Sequence, residues 1–125
     1  MSAIPRKILI VDDEPHMIRL AELSLRKGAF DVVTARNGRD AVELASSEKP
    51  DLIVMDVQMP EMDGLEALQA LKSNSETTGI PVVILTARGH QLTRQEAVGI
   101  GASSFLTKPF SPTQLLSEVQ RILGE

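Results

Sequence analysis

The chain has 125 residues and no cysteine, so one compact domain is the natural unit, and disulfides and thiolate metal sites are excluded. Hydrophobic residues make up 42% and charged residues 24%, a mix that supports a buried core without cross-links. Net charge is -4, Lys and Arg are dispersed, and aromatics reach only 2% with no Trp or Tyr, which argues against direct nucleic-acid or anionic-membrane partners.

The segment Met1 to Arg6 has no long apolar run and does not read as a signal peptide. No stretch approaches the roughly 20 apolar residues of a transmembrane helix. A cytoplasmic location is expected. The lack of cysteine fits a reducing compartment without proving it, because many exported proteins lack cysteine too.

In chain order, Ile8-Leu9-Ile10-Val11 is the first short apolar run. Met17, Leu20, Ala21 and Leu25 then recur at near-helical spacing before Gly28, read as a C-terminal stop. Val32-Val33-Thr34-Ala35 is the second and weakest run. Asn37 can cap a helix carrying Ala41, Val42 and Ala45. Leu52-Ile53-Val54-Met55 follows, then Asp63 as the cap of a helix with Leu65, Leu68 and Leu71. Lys72 to Gly79 is the most loop-like stretch. Val82-Val83-Ile84-Leu85 is the fourth run. Gln91 to Ile100 is the weakest helix, because Gly99 and Gly101 each cost up to ~1 kcal/mol against alanine if helical. Ser104-Phe105-Leu106-Thr107 is the fifth run. Ser111-Pro112 makes a cap and first turn for a stripe of Leu115, Leu116, Val119, Ile122 and Leu123.

The first, third and fourth runs are apolar at every position, the mark of strands covered on both faces. Alternation of five such runs with five helical stretches predicts an α/β fold. It is a doubly wound five-stranded parallel sheet, a flavodoxin-like (βα)5 arrangement of strand order 2-1-3-4-5. The whole chain, residues 1–125, is expected to be one domain. In such sheets ligands bind beyond the carboxyl ends of the strands, near the first and third.

The residues just past those ends are Asp12, Asp13 and Glu14, then Asp56, then Thr86, then Lys108-Pro109. Each alone has an ordinary reading: Asp forms turns and caps, Thr86 can cap a helix, and Lys108 can be a solvated turn residue. Their convergence on one edge changes the odds. Two carboxylates at about 4 Å repel by up to ~4 kcal/mol at an effective dielectric of 20. Lys108 offsets one charge, and a divalent cation with oxygen ligands would offset two more. Mg²⁺ suits few carboxylates, several waters and a shared phosphate. The lack of His and Cys ligands argues against zinc. A carboxylate in such a pocket can carry an acyl phosphate.

These residues resemble the receiver domains of two-component response regulators, the CheY-like superfamily. The likeness runs from Lys7 to Leu123. It is carried by Ile8-Leu9-Ile10-Val11-Asp12-Asp13-Glu14, by Asp56-Val57-Gln58-Met59-Pro60 through Met62-Asp63-Gly64, by Leu85-Thr86-Ala87, and by Phe105-Leu106-Thr107-Lys108-Pro109-Phe110. The resemblance implies that Asp56 is the phosphoacceptor. It implies Mg²⁺, or Mn²⁺ in its place, on Asp13, on Asp12 mainly through water, on Asp56 and on the backbone carbonyl of Gln58. Thr86 is then the switch hydroxyl, Ala87 the small residue beside the phosphoryl group, Lys108 the phosphate-binding lysine and Phe105 the aromatic rotamer switch. A cis Lys108-Pro109 bond is implied as well. Gln58 and Arg88 stand where the family tunes phosphoryl lifetime.

The implied partners are a sensor histidine kinase or histidine phosphotransfer protein, and an output partner the sequence does not name. The resemblance allows a phosphorylation-dependent dimer without specifying one. The switching face would run from Gln91–Ile100 through Phe105–Lys108 to the last helix. The domain is read as a signalling switch that catalyses only its own phosphorylation and dephosphorylation. A haloacid-dehalogenase-type phosphatase would want an acid where Gln58 stands. A flavodoxin would need a Ser/Thr/Gly-rich phosphate loop where Asp12-Asp13-Glu14 stands. A receiver used purely for interaction is disfavoured by the intact residue set. His16 and His90 read as surface residues, the methionines as filler or, for Met59 and Met62, as shapers of the loop after Asp56, and Phe30 and Phe110 as packing residues.

Overall fold

The computed structural model describes residues 5–59, 62–87 and 94–125, the side chain of Arg94 excepted. Pro60, Arg88, His90 and the Gln91–Thr93 part of the expected fourth helix lie outside the described residues.

The elements are β1 (Lys7–Val11), α1 (Pro15–Arg26), β2 (Asp31–Ala35), α2 (Gly38–Glu48), β3 (Leu52–Asp56), α3 (Gly64–Lys72), β4 (Val82–Ala87), α4 (Arg94–Ile100), β5 (Ser104–Lys108) and α5 (Pro112–Leu123). The strands pair in parallel in the order β2-β1-β3-β4-β5, as the alternation predicts. The fully apolar runs take the three central places, and the weak Val32–Ala35 run becomes an edge strand.

Alternate strand residues face opposite sides of the sheet. Leu9, Val11, Ile53, Met55 and Ile84 therefore join a core with Ala41 and Ala45 of α2, Leu68 and Leu71 of α3, and Ala97 of α4. Ile8, Ile10, Leu52, Val54 and Val83 join a second core with Leu25 of α1 and Leu115 and Val119 of α5. Each large side chain so buried contributes roughly 1.5–3 kcal/mol. Phe30 and Phe110 are buried in the second core, as expected.

The three predicted caps form. Asn37, Asp63 and Ser111 accept from the backbone N–H of Asp40, Glu66 and Gln114 at 2.8, 2.9 and 3.0 Å. Each such cap is worth ~1 kcal/mol. Gly28 plays a different part from the expected stop. α1 ends at Arg26, and the left-handed residue of the following turn is Ala29, at φ 64°. Gly28 is small because a Cβ there would stand 2.6 Å from Leu116 Cδ1 of α5. The expected loop from Lys72 starts one residue late, since Lys72 closes α3. Within it Thr77 is buried and its hydroxyl donates to the Leu71 carbonyl at 2.7 Å.

Strand ends also differ from expectation. Asp56, Thr86, Ala87 and Lys108 belong to the strands rather than following them. The register accounts for it: Asp56 pairs with Leu85, Thr86 with Thr107 and Ala87 with Lys108. The ladder thus holds these residues rigidly at the sheet's carboxyl edge. No helix among the described residues is long and apolar enough to cross a membrane.

Candidate functional site

Parallel pairing places Val11 beside Ala35 and Met55, so the residues following β1 and ending β3 emerge side by side. Asp12 is buried, its N–H bound to the Ala35 carbonyl at 3.2 Å. Asp56 is buried at the end of β3, and Asp13 is half-buried. One carboxylate oxygen from each of Asp12, Asp13 and Asp56 lies within 4.8 Å of the others.

Lys108 enters from β5. Its Nζ lies 2.8 Å from Asp12 Oδ2 and 3.4 Å from Asp56 Oδ1, with its side chain 14% exposed. Three carboxylates against one ammonium leave a formal charge of −3 + 1 = −2 when all are ionised. Burial, then the charge of Asp12, pushes the Asp56 carboxyl up to about 6, although Lys108 and the Gln58 backbone N–H favour its ionised form. Burial opposes the charge on Lys108, yet the hydrogen bond and charge of Asp12, with Asp56 behind them, hold its pKa above the usual lysine value.

Thr86 is buried at the same edge, and its Oγ1 has no hydrogen-bond partner among the described residues. A buried hydroxyl left unpaired costs about 1–3 kcal/mol. Together with an all-oxygen donor set of excess negative charge, it fits a hard divalent cation with a bound anion. Ala87 is half-buried beside Lys108 in the β4–β5 ladder, and Lys108-Pro109 is cis. Phe105 is not in this cluster. It pairs with Ile84, half-buried against the core that includes Ala97 of α4. The side chain of Gln58 is exposed.

Two contacts here escaped sequence reasoning. Arg36, just past β2, donates from Nη2 to the Asp13 carbonyl at 3.4 Å. The signal for it was a basic residue at the carboxyl edge. Gly64 opens α3 against the strand end: its N–H donates to the Val57 carbonyl at 2.9 Å, and a Cβ would overlap the Asp56 carbonyl oxygen. A glycine directly after a capping Asp63 was its signal. His16 is exposed and faces Glu14 at 3.6 Å, in keeping with a surface role.

Comparison with known proteins decides the family. A model of the response regulator receiver domain matches residues 8–120. The chain belongs to this receiver domain family. It is 38% identical over 118 residues to the alkaline phosphatase synthesis transcriptional regulatory protein PhoP of Bacillus subtilis, covering 94% of this chain and 48% of that protein. The receiver domain thus spans about half the length of the curated relatives it matches. Among solved structures, the chemotaxis response regulator CheY4 of Vibrio cholerae superimposes with a TM-score of 0.87 at 34% identity, covering 95% of this chain and 99% of that one. The receiver domain of the sensor histidine kinase PA1611 of Pseudomonas aeruginosa gives 0.88 at 30% identity, covering 98% and 100%. That neighbour holds a magnesium ion coordinated in its active-site cleft. The present chain is therefore a CheY-like receiver domain of a two-component response regulator.

Proposed function

We propose that the domain accepts a phosphoryl group on Asp56 from a phosphohistidine of a sensor kinase or phosphotransfer protein, and relays the change to an output partner. The observation that carries this reading is the three-carboxylate cluster with Lys108 between Asp12 and Asp56.

An Asp56 oxygen attacks phosphorus, an O–P bond forms, and the N–P bond to the donor imidazole breaks. The imidazole leaves with the electron pair and takes a proton. With its pKa near 6, Asp56 is mainly ionised and nucleophilic at neutral pH. Mg²⁺, or Mn²⁺, would be held by Asp12, Asp13, Asp56 and the Gln58 carbonyl, supplying charge neutralisation for the transferring group. Lys108 neutralises a phosphoryl oxygen, and Thr86 donates its hydroxyl to another. Ala87 leaves room for the group. Hydrolysis of the acyl phosphate by water resets the site.

Once Thr86 is drawn to the phosphoryl oxygen, Phe105 turns inward, and the face formed by α4, β5 and α5 shifts between two pre-existing arrangements. The test is labelling by acetyl phosphate with Mg²⁺. Asp56→Asn is expected to abolish it. Undiminished labelling of that variant would place the acceptor elsewhere.

A further inference from the structure

We infer that Gly64, the first residue of α3, is a positioning residue for the phosphoacceptor: the close approach it permits holds in place the peptide bonded to the Asp56 carboxylate. The inference rests on the function proposed above, in which Asp56 takes both the metal and the phosphoryl group. The peptide between Val57 and Gln58 is bound at both of its polar ends. Its carbonyl, on Val57, accepts from Gly64 N–H at 2.9 Å. Its N–H, on Gln58, donates to the Asp56 carboxylate and favours the ionised form. A peptide unit is planar, so the direction of one end fixes that of the other. Gly64 therefore reaches the acceptor through two hydrogen bonds and one rigid plane.

Any residue except proline supplies the N–H; glycine supplies the closeness. Gly64 is buried, and a methyl group there would overlap the Asp56 carbonyl oxygen and stand 2.8 Å from Val57 Cα. Its backbone conformation makes no demand for glycine, because the positive-φ glycines among the described residues are Gly101 and Gly124. The helix cannot back away. Ala67, Leu68 and Leu71 are wholly buried, and the Asp63 side chain caps the first turn at Glu66 N–H, 2.9 Å away. On the strand side the ladder with β1 ends at Met55, and only β4 pairs with Asp56. The strand end is the side that yields, and the peptide between Val57 and Gln58 turns with it.

Two simpler accounts predict otherwise. Alanine is a better helix former than glycine, so helix propensity alone predicts a neutral or stabilising Gly64→Ala. Packing alone predicts a lower melting temperature with metal affinity unchanged. The peptide link predicts weaker metal binding as well. Loss of a hydrogen-bond partner that orients a ligating group commonly costs about 10- to 100-fold in metal affinity.

The experiment is titration calorimetry of the full chain with Mg²⁺, beside thermal melts in chelator. Gly64→Ala is expected to raise the Mg²⁺ Kd at least about tenfold. Leu71→Val trims a core side chain of the same helix without touching the strand end. It is expected to lower the melting temperature and leave that Kd within about twofold, well short of the loss expected from the peptide link. Equal Kd for Gly64→Ala and wild type, or equal loss in both variants, would overturn the inference. In wild type the Gly64 amide resonance is expected to shift on saturation with Mg²⁺. An unmoved resonance would also overturn it, whether or not the alanine variant folds. Wild-type protein that binds no Mg²⁺ would instead overturn the proposed function itself.

Discussion

The two edges of the one sheet are built to opposite rules. At the amino edge several charged groups find direct partners within the protein. Lys7 Nζ reaches Glu48 Oε1 at 2.8 Å, Lys7 N–H donates to Asp51 Oδ2 at 2.8 Å, and Arg6 Nη1 donates to the Leu123 carbonyl at 2.6 Å. Ser104, buried at the start of β5, donates to the Glu118 carboxylate, which Arg121 also holds. At the carboxyl edge three carboxylates share one ammonium, and a buried hydroxyl has no partner among the described residues. The groups named at the first edge are met from within the protein; the cluster at the second carries excess negative charge that a ligand would balance.

That contrast predicts where stability responds to solution conditions. A ligand bound only by the native state adds about 2.7 kcal/mol at a hundredfold excess over its Kd. Mg²⁺ is expected to raise the melting temperature accordingly, and Asp13→Asn to remove most of that rise. A rise of the same size in Asp13→Asn would move the metal away from this cluster.

The second prediction concerns pH in metal-free buffer. The Asp56 carboxyl stands near 6 in the folded chain against an ordinary 3.8, so the native state holds its proton more tightly than the unfolded state. Stability from this group is therefore present at low pH and falls as pH rises from about 4 to about 6. Urea unfolding of wild type and Asp56→Asn across that range isolates it: the difference should grow in favour of the variant as pH rises. A constant difference would contradict the assigned burial and repulsion.

Opposite signs are expected for hydroxyl removal at the two edges. Thr86→Val deletes an unpaired buried group and should be neutral or stabilising by up to about 1–3 kcal/mol in unphosphorylated, metal-free protein. Ser104→Ala deletes a made hydrogen bond to a carboxylate and should destabilise by about 1–3 kcal/mol. Denaturant melts of both variants check the pair. The smallest effect belongs to Lys7→Met, whose exposed ion pair with Glu48 contributes little. It should leave the Mg²⁺-induced rise in melting temperature unchanged, and a reduced rise would show that the edges are coupled.

Much of this was legible in one dimension. Strands covered on both faces have no polar positions, so Ile8–Val11, Leu52–Met55 and Val82–Leu85 announced the central strands. Asn37, Asp63 and Ser111 announced helix starts because capping is local chemistry. Asp12, Asp56 and Lys108 could be brought together because a parallel sheet aligns its carboxyl ends. What stayed hidden depends on approach between distant segments. Nothing local distinguishes Gly28, small to admit Leu116, from a glycine that ends a helix. The contacts of Arg36 with Asp13 and of Gly38 with Met62 likewise arise only when strand and helix ends meet. Strand ends were read short because Asp56, Thr86 and Lys108 are polar, yet pairing with a neighbour carries the ladder through them.

The ammonium of Lys108 ties to an aspartate 96 residues earlier in the chain. A nascent polypeptide leaving the ribosome exposes its acidic residues long before that lysine emerges. Until the last strand docks, the early carboxylates lack their only built-in counter-ion among the described residues. Assembly of the carboxylate cluster with its ammonium therefore waits on the docking of β5, whatever the order in which the other strands pair.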